Sequence, residues 1–109
     1  MLERGSLAAS PMPMVGEEFR ELVRVQNVVI EEIVSSAMPD TFEYWQPHDE
    51  WVVVLEGTAK LDVDSDVVAL AAGEWVLIPA HTRHRVLETA AGTRWLAVHV
   101  HPVAQLPVR

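Results

Sequence analysis

Two segments of this sequence bring histidine and carboxylate side chains next to apolar runs. In the first, His48 and Glu50 come directly before the apolar residues 51–55. In the second, His81 and His84 follow another apolar run and begin 31 residues after Glu50. Two imidazoles and one carboxylate suit a divalent first-row metal ion that keeps open positions for a substrate. The sequence therefore predicts a divalent-metal site if the two segments meet in the fold.

The candidate ligands of this metal are His48, Glu50, His81 and His84. The chain contains no cysteine, so nitrogen and oxygen donors would have to hold iron, manganese, nickel, copper or zinc. Taken singly, a histidine near the end of a strand is usually an ordinary surface residue. The prediction of a metal site therefore depends on the convergence of the four side chains.

Other polar side chains near the first segment are candidates for catalysis and substrate binding. Side chains two residues apart share one face of a strand, so Tyr44, Gln46, His48 and Glu50 are expected on one side. Tyr44 is a candidate catalytic acid or hydrogen-bond donor to a substrate oxygen, and Glu50 is the second candidate catalytic residue. Gln46 and, in the last predicted strand, His99 are the candidates for the substrate pocket.

Composition and charge exclude several classes of function. The absence of cysteine excludes a disulfide scaffold and a cysteine nucleophile. The 16 acidic and 8 basic residues give a net charge of −8, which repels nucleic acids and anionic membrane surfaces. Residues 1–16 are too weakly apolar for a secretory signal, and no apolar run approaches the roughly 20 residues of a membrane span. We therefore expect a cytoplasmic protein that binds neither nucleic acid nor membranes.

Turn residues and apolar runs predict an all-β fold. Residues 1–16 lack periodicity and are expected to form a loose N-terminal arm, followed by a single domain over residues 17–109. Residues 17–23 place apolar side chains at helical spacing, which predicts a short helical turn. The expected strands cover residues 27–34, 42–45, 51–55, 58–63, 67–70, 75–78, 85–88 and 94–101. So many short strands indicate a β-sandwich or barrel.

Three of these strands consist of, or contain, a run that is apolar at every position: residues 51–55, 75–78 and 95–98. A strand with one face in water would alternate between apolar and polar side chains, so these strands are expected to be covered on both faces. In a chain of this size, a second copy is the simplest cover. We therefore predict a homodimer.

About half of the sequence resembles the cupin superfamily of small β-barrels. The first cupin motif ends in Glu, six residues and Gly, which match Glu50 and Gly57. The second motif consists of Gly, five residues, Pro and a His five positions later, which match Gly73, Pro79 and His84. The 15 residues between the motifs are typical of compact bacterial members. The resemblance implies a double-stranded β-helix, also called a jelly-roll barrel.

The resemblance also implies a function and a departure from the usual ligands. Cupins that bind metal carry His-x-His ahead of the motif Glu, where this sequence has Tyr44 and Gln46. Only Glu50 and His84 carry over, with His48 and His81 as possible substitutes. The resemblance implies metal-dependent isomerase or dioxygenase chemistry on a small molecule. The alternative is a non-catalytic member with a degenerate metal site that binds a small-molecule ligand, and a purely structural dimer module is a third possibility.

Overall fold

The computed structural model describes residues 2–7, 11–40 and 42–103, and every regular element in these ranges is a β-strand. The strands are β1 (Glu17–Val25), β2 (Val28–Ser35), β3 (Asp49–Glu56), β4 (Thr58–Val63), β5 (Asp66–Ala71), β6 (Trp75–Ile78), β7 (His84–Thr89) and β8 (Thr93–Val100). The prediction of an all-β fold is confirmed. The described residues form no helix with the length and hydrophobicity that crossing a lipid bilayer requires.

The strands form two antiparallel sheets that enclose one core. The larger sheet has five strands in the order β1-β2-β8-β3-β6, and the smaller has three in the order β5-β4-β7. Side chains from both sheets meet between them, among them Val54 and Trp95 of the larger sheet and Leu61 of the smaller. Along β3, burial alternates from Glu50 to Leu55, so every second side chain in this stretch points into the core. The apolar strand interiors are rich in β-branched residues, which favour this extended conformation.

The predicted helical turn at residues 17–23 is wrong, because β1 occupies this segment. The register between β1 and β2 shifts between Glu21 and Val23, which marks a β-bulge. A bulge inserts one extra residue and breaks the two-residue alternation of a strand. Phe19, Leu22 and Val23 therefore have a spacing that resembles one face of a helix although the backbone is extended.

Other predicted boundaries also differ from the structure. The strand expected at residues 42–45 is reduced to a single antiparallel bridge between Tyr44 and His84. The last strand ends at Val100, one residue short of its predicted end. Residues 2–7 and 11–16 of the expected N-terminal arm contain no strand, whereas residues 1 and 8–10 of the arm and residues 104–109 of the predicted domain lie outside the described residues. The domain boundaries therefore stay a prediction.

Candidate functional site

A cavity of about 80 Å³ lies between the two sheets and combines acidic, basic and apolar side chains. It is lined by Glu17, Phe19, Glu31, Ile33, Tyr44, Gln46, Glu50, Val52, Leu61, Ile78, His84, Val86, Trp95 and His99. Half of these residues are polar or charged, and half are hydrophobic. The lining is therefore half polar and half apolar, and such a mixture is typical of sites for small organic molecules.

The sheet register brings Glu50, His84 and His99 together. Glu50 of β3 stands opposite His99 of β8, because these two strands are antiparallel neighbours. His84 begins β7 in the other sheet, and its Nε2 atom lies 3.7 Å from Oε1 of Glu50. His99 Nδ1 lies 3.9 Å from the same oxygen. One buried carboxylate thus faces two buried imidazoles from opposite sheets.

The side chain of Glu50 is oriented by Gln46. The Gln46 amide Nε2 donates a hydrogen bond of 2.9 Å to Oε1 of Glu50. This bond fixes the carboxylate and leaves it with acceptor capacity toward the cavity, since a carboxylate offers about four lone-pair positions. Glu50 is therefore positioned to accept a proton from a molecule in the cavity.

His99 is held between a carboxylate and a second imidazole. Its Nε2 donates to Oε1 of Glu31 at 2.6 Å, and its Nδ1 lies 2.9 Å from Nε2 of His48. Burial alone would lower the pKa of His99, but the hydrogen bond to Glu31 and the charges of Glu50 and Glu31 outweigh burial and raise it. Burial, together with the charges of His101 and His99, lowers the pKa of His48. The pKa values of the two neighbouring histidines are therefore shifted in opposite directions, that of His99 upward and that of His48 downward.

Tyr44 and His84 form the adjacent wall of the cavity. Their rings stack with centroids 5.6 Å apart, and their backbones are bonded in both directions. His84 Nδ1 donates to the carbonyl oxygen of Thr82 at 3.1 Å, so its Nε2 faces Glu50. Burial, followed by the negative charges of Asp40 and nearby glutamates, raises the pKa of Tyr44 to about 12. The phenol therefore stays protonated at neutral pH and acts as a hydrogen-bond donor.

The four predicted metal ligands do not converge. Glu50 and His84 are neighbours, but His48 stands behind His99 and does not line the cavity. His81 is exposed, has a φ of 63° and packs against Trp45 with ring centroids 5.1 Å apart. Within residues 2–7, 11–40 and 42–103, no group of three or more His, Asp or Glu side chains has the arrangement of a metal site. The donor set that the sequence suggested therefore does not fit a metal ion in this structure.

The structure adds two acidic residues that the sequence reasoning did not select. Glu17 of β1 and Glu31 of β2 both line the cavity. Glu31 interrupts the apolar residues of β2 and points inward, and its neighbour Glu32 points to the opposite face. The sequence did contain a signal for this role, namely the pair Glu31 and Glu32 inside an otherwise apolar strand. A charged side chain that is buried in such a strand requires a partner.

Glu17 gives a prediction about stability. Burial raises the pKa of Glu17, although the hydroxyl of Ser35 donates to its Oε2 at 2.8 Å and opposes this rise. A raised carboxyl pKa means that ionisation of the group opposes folding as pH rises above its usual value near 4.5. A Glu17→Gln variant, whose amide oxygen can still accept from Ser35, should melt at a higher temperature than the wild type at pH 7. The difference should vanish at pH 4, and thermal melts at both pH values test it.

Comparison with known proteins supports the same fold. The family model described as "Cupin domain" matches residues 37–101. Polyketide synthase CurC of Streptomyces cyaneus is 30% identical over 66 residues, which are 60% of this chain and 43% of that protein. The chain thus spans less than half the length of this curated relative.

Solved structures resemble the chain over most of its length. A candidate mannose-6-phosphate isomerase of Ralstonia eutropha is 36% identical to this chain, with a TM-score of 0.79. The match covers 93% of this chain and 100% of that one. A Streptococcus pyogenes protein of unknown function is 22% identical with a TM-score of 0.77, covering 95% of this chain and 93% of that one. An RmlC-like cupin from Shewanella frigidimarina is 18% identical with a TM-score of 0.71. This match covers 80% of this chain and 78% of that one, and the two proteins share the jelly-roll fold. This chain belongs to the cupin family.

Proposed function

We propose that this cupin binds a small molecule in the cavity and transfers protons on it with its own carboxylate and phenol groups. The observation that carries this proposal is the meeting of Glu50, His99 and Tyr44 in one cavity with different hydrogen-bonding roles. Glu50 accepts a hydrogen bond from Gln46, His99 donates to Glu31, and Tyr44 keeps its phenolic proton at neutral pH. Neighbouring groups with opposite roles in proton transfer are the requirement for general acid–base catalysis.

The geometry favours an isomerisation of a carbonyl compound. Glu50 would accept the proton from the carbon next to the carbonyl, and the electron pair of that C–H bond would form the new carbon–carbon double bond. Tyr44 would donate a hydrogen bond to the carbonyl oxygen as negative charge develops there. Tyr44 would then give its phenolic proton to that oxygen, while His99, held by Glu31 and His48, would position Glu50. Return of the first proton from Glu50 to the former carbonyl carbon, with the proton of the adjacent hydroxyl group passing to the Tyr44 phenolate, would complete the isomerisation and regenerate both groups.

A metal-dependent oxygenase has weaker support. Such chemistry needs a converging set of ligands, and only Glu50 and His84 of the four candidates are within 3.7 Å of one another. Both ring nitrogens of His99 are already engaged, by Glu31 and by His48. The Ralstonia relative is named as an isomerase, and an isomerisation by proton transfer agrees with that name. No step of the proposed reaction therefore passes through a metal ion.

The proposal is tested by exchange of protons for deuterium. The purified protein is incubated in D₂O with a panel of small ketones and aldoses, including mannose and mannose 6-phosphate, and the α-proton signals are followed by NMR. We expect at least one member to lose its α-proton signal faster with the protein than without it. Exchange at the protein-free rate throughout the panel would contradict the proposal, and binding without exchange would favour the non-catalytic alternative.

We also propose that a second copy of the chain covers the outer face of the five-stranded sheet. Trp75 and Leu77 on this face are 59% and 52% exposed in the single chain. On the same face, Glu32 is 1% exposed and is held by ion pairs to Arg20 and Arg94. Apolar surface rimmed by polar groups is characteristic of protein interfaces. All three apolar runs that were predicted to be covered on both faces lie in this sheet, in β3, β6 and β8.

A charged substitution on this face should break the dimer. Light scattering after gel filtration should give about twice the 12.2 kDa chain mass for the wild type and the chain mass for Leu77→Asp. The aspartate would be buried without a partner in the dimer, which is costly. Val67→Asp is the matched control, because Val67 is a 62% exposed apolar residue on the other sheet. A wild-type mass near 12.2 kDa, or equal effects of both variants, would contradict the proposed interface.

A further inference from the structure

We propose that the cavity selects a molecule without anionic groups, apolar on one side and carrying a hydroxyl or carbonyl group on the other, and that it rejects phosphate esters. This inference rests on the proposed function, because it takes the cavity as the binding site. It departs from the name of the Ralstonia relative, which refers to a sugar phosphate. The charges of the lining and the positions of the basic side chains lead to it.

The lining is acidic and lacks the usual partners of phosphate. Glu17, Glu31 and Glu50 contribute three carboxylates, and among the residues that the structure describes none of the lining residues is lysine or arginine. Proteins hold phosphate groups with arginine, lysine or clustered backbone N–H groups. A phosphate in this cavity would face three carboxylates with no arginine or lysine to balance them.

Six of the eight lysine and arginine side chains form ion pairs away from the cavity. Their ion-pair partners are Glu21, Glu32, Glu43, Asp62 and Glu88, none of which lines the cavity. The basic residues in these pairs are Arg20, Arg24, Lys60, Arg83, Arg85 and Arg94. Bringing one of them to the ligand would break an existing ion pair and require a change of side-chain direction.

The two cavity histidines do not replace a basic residue. His99 donates to Glu31 at 2.6 Å, so any positive charge on its ring is already balanced by that carboxylate. His84 points its Nε2 toward Glu50 at 3.7 Å. Each imidazole thus faces a carboxylate before a ligand arrives. An anion would have to compete with both of these contacts.

The remaining lining describes the favoured ligand. Ile33, Val52 and Ile78 belong to the apolar half of the lining, and Trp95 presents its ring because its Nε1 already donates to Ser35 Oγ at 2.8 Å. In the polar half of the lining, Tyr44 offers its phenol as a donor. The volume of about 80 Å³ limits the ligand to about the size of a single ring. A ring compound with a hydroxyl or carbonyl group meets these conditions.

A matched pair of probes tests the inference without knowledge of the natural ligand. Benzyl alcohol and benzyl phosphate share the same ring and differ by the phosphate. Each is titrated at pH 7.5 into ¹⁵N-labelled protein, and the backbone signals of Tyr44, His84 and His99 and the side-chain amide of Gln46 are followed. We expect benzyl alcohol to shift these signals, with benzyl phosphate binding at least tenfold more weakly.

Two glutamate variants show whether the cavity charge causes the difference. Glu17→Gln removes a charge from the lining, whereas Glu18→Gln removes one from an exposed, outward-facing neighbour on the same strand. Glu17→Gln should narrow the affinity gap between the two probes about threefold or more, and Glu18→Gln should leave it unchanged.

Three results would overturn the inference. They are equal affinity for both probes, no shift of the cavity signals by benzyl alcohol, or the same change in the affinity difference between the probes in Glu17→Gln and Glu18→Gln. These binding results are independent of catalysis. Proton exchange on mannose 6-phosphate as fast as on mannose would also overturn the selectivity while supporting the proposed function. Selective binding without any exchange would leave the selectivity intact and contradict the proposed function.

Discussion

A Gly57→Ala variant is expected to lose about 3 kcal/mol of folding free energy, because two costs add at this position. Gly57 has a φ of 91°, a conformation that side chains with a Cβ rarely adopt. A Cβ built there would also collide with Oγ1 of Thr93 and lie 3.0 Å from its backbone Cα. Thr93 is fully buried, and its hydroxyl donates to carbonyl oxygens of Thr58 and Ala90. The threonine therefore has no room to move aside.

Gly73→Ala separates the backbone cost from the collision. Gly73 has a similar φ of 85°, but no atom lies within 4 Å of the position that its Cβ would take. Its substitution should cost about 1 kcal/mol, the backbone part alone. Urea denaturation of both variants measures the difference. Equal losses would contradict the role given to the contact with Thr93.

A Glu50→Gln variant should lower the rate of α-proton exchange by about 100-fold or more, since removal of a general base typically has an effect of this size. The amide oxygen of the new side chain can still accept the hydrogen bond from Gln46, so the fold should be preserved. The rate is measured by NMR on whichever panel member exchanges fastest with the wild type. An unchanged melting temperature verifies that the loss reflects chemistry rather than folding.

Two controls accompany this variant. Glu56→Gln makes the same chemical change at an exposed position of the same strand and should leave the rate unchanged. His81→Ala removes a predicted metal ligand that the structure keeps outside the cavity lining. It should also leave the rate unchanged. A loss in His81→Ala comparable to that in Glu50→Gln would contradict the proposed roles and favour the ligand set predicted from sequence.

The pairing of Glu50 with His84 could be predicted from sequence because both residues occupy positions of the two cupin motifs. The motifs fix where β3 and β7 begin, and the packing of the two sheets against each other then brings their polar ends to the same cavity. The same reasoning failed for His48. Pro47 lies between Gln46 and His48, and the strand begins only at Asp49, so the expected two-residue alternation does not extend across this segment. His48 therefore contacts His99 instead of lining the cavity.

The N-terminal contribution to the site could not be predicted in this way. The bulge in β1 conceals the alternation that would have placed Glu17 and Phe19 on the inward face. Glu31 could be assigned a role only after β8 was known to lie beside β2, since its partner His99 is 68 residues away in the chain. Contacts of such long range depend on strand order, which local patterns do not encode. The cavity's acidic character was therefore visible only in the folded structure.

The central claim is that the cavity's own side chains transfer the proton. The most direct test is the exchange rate of the best panel substrate with wild-type protein dialysed against EDTA and then measured in the presence of EDTA. The proposal predicts the same rate as in untreated protein, together with the loss in Glu50→Gln. A rate that falls to the protein-free value in EDTA and returns on addition of one of the metals iron, manganese, nickel, copper or zinc would contradict it.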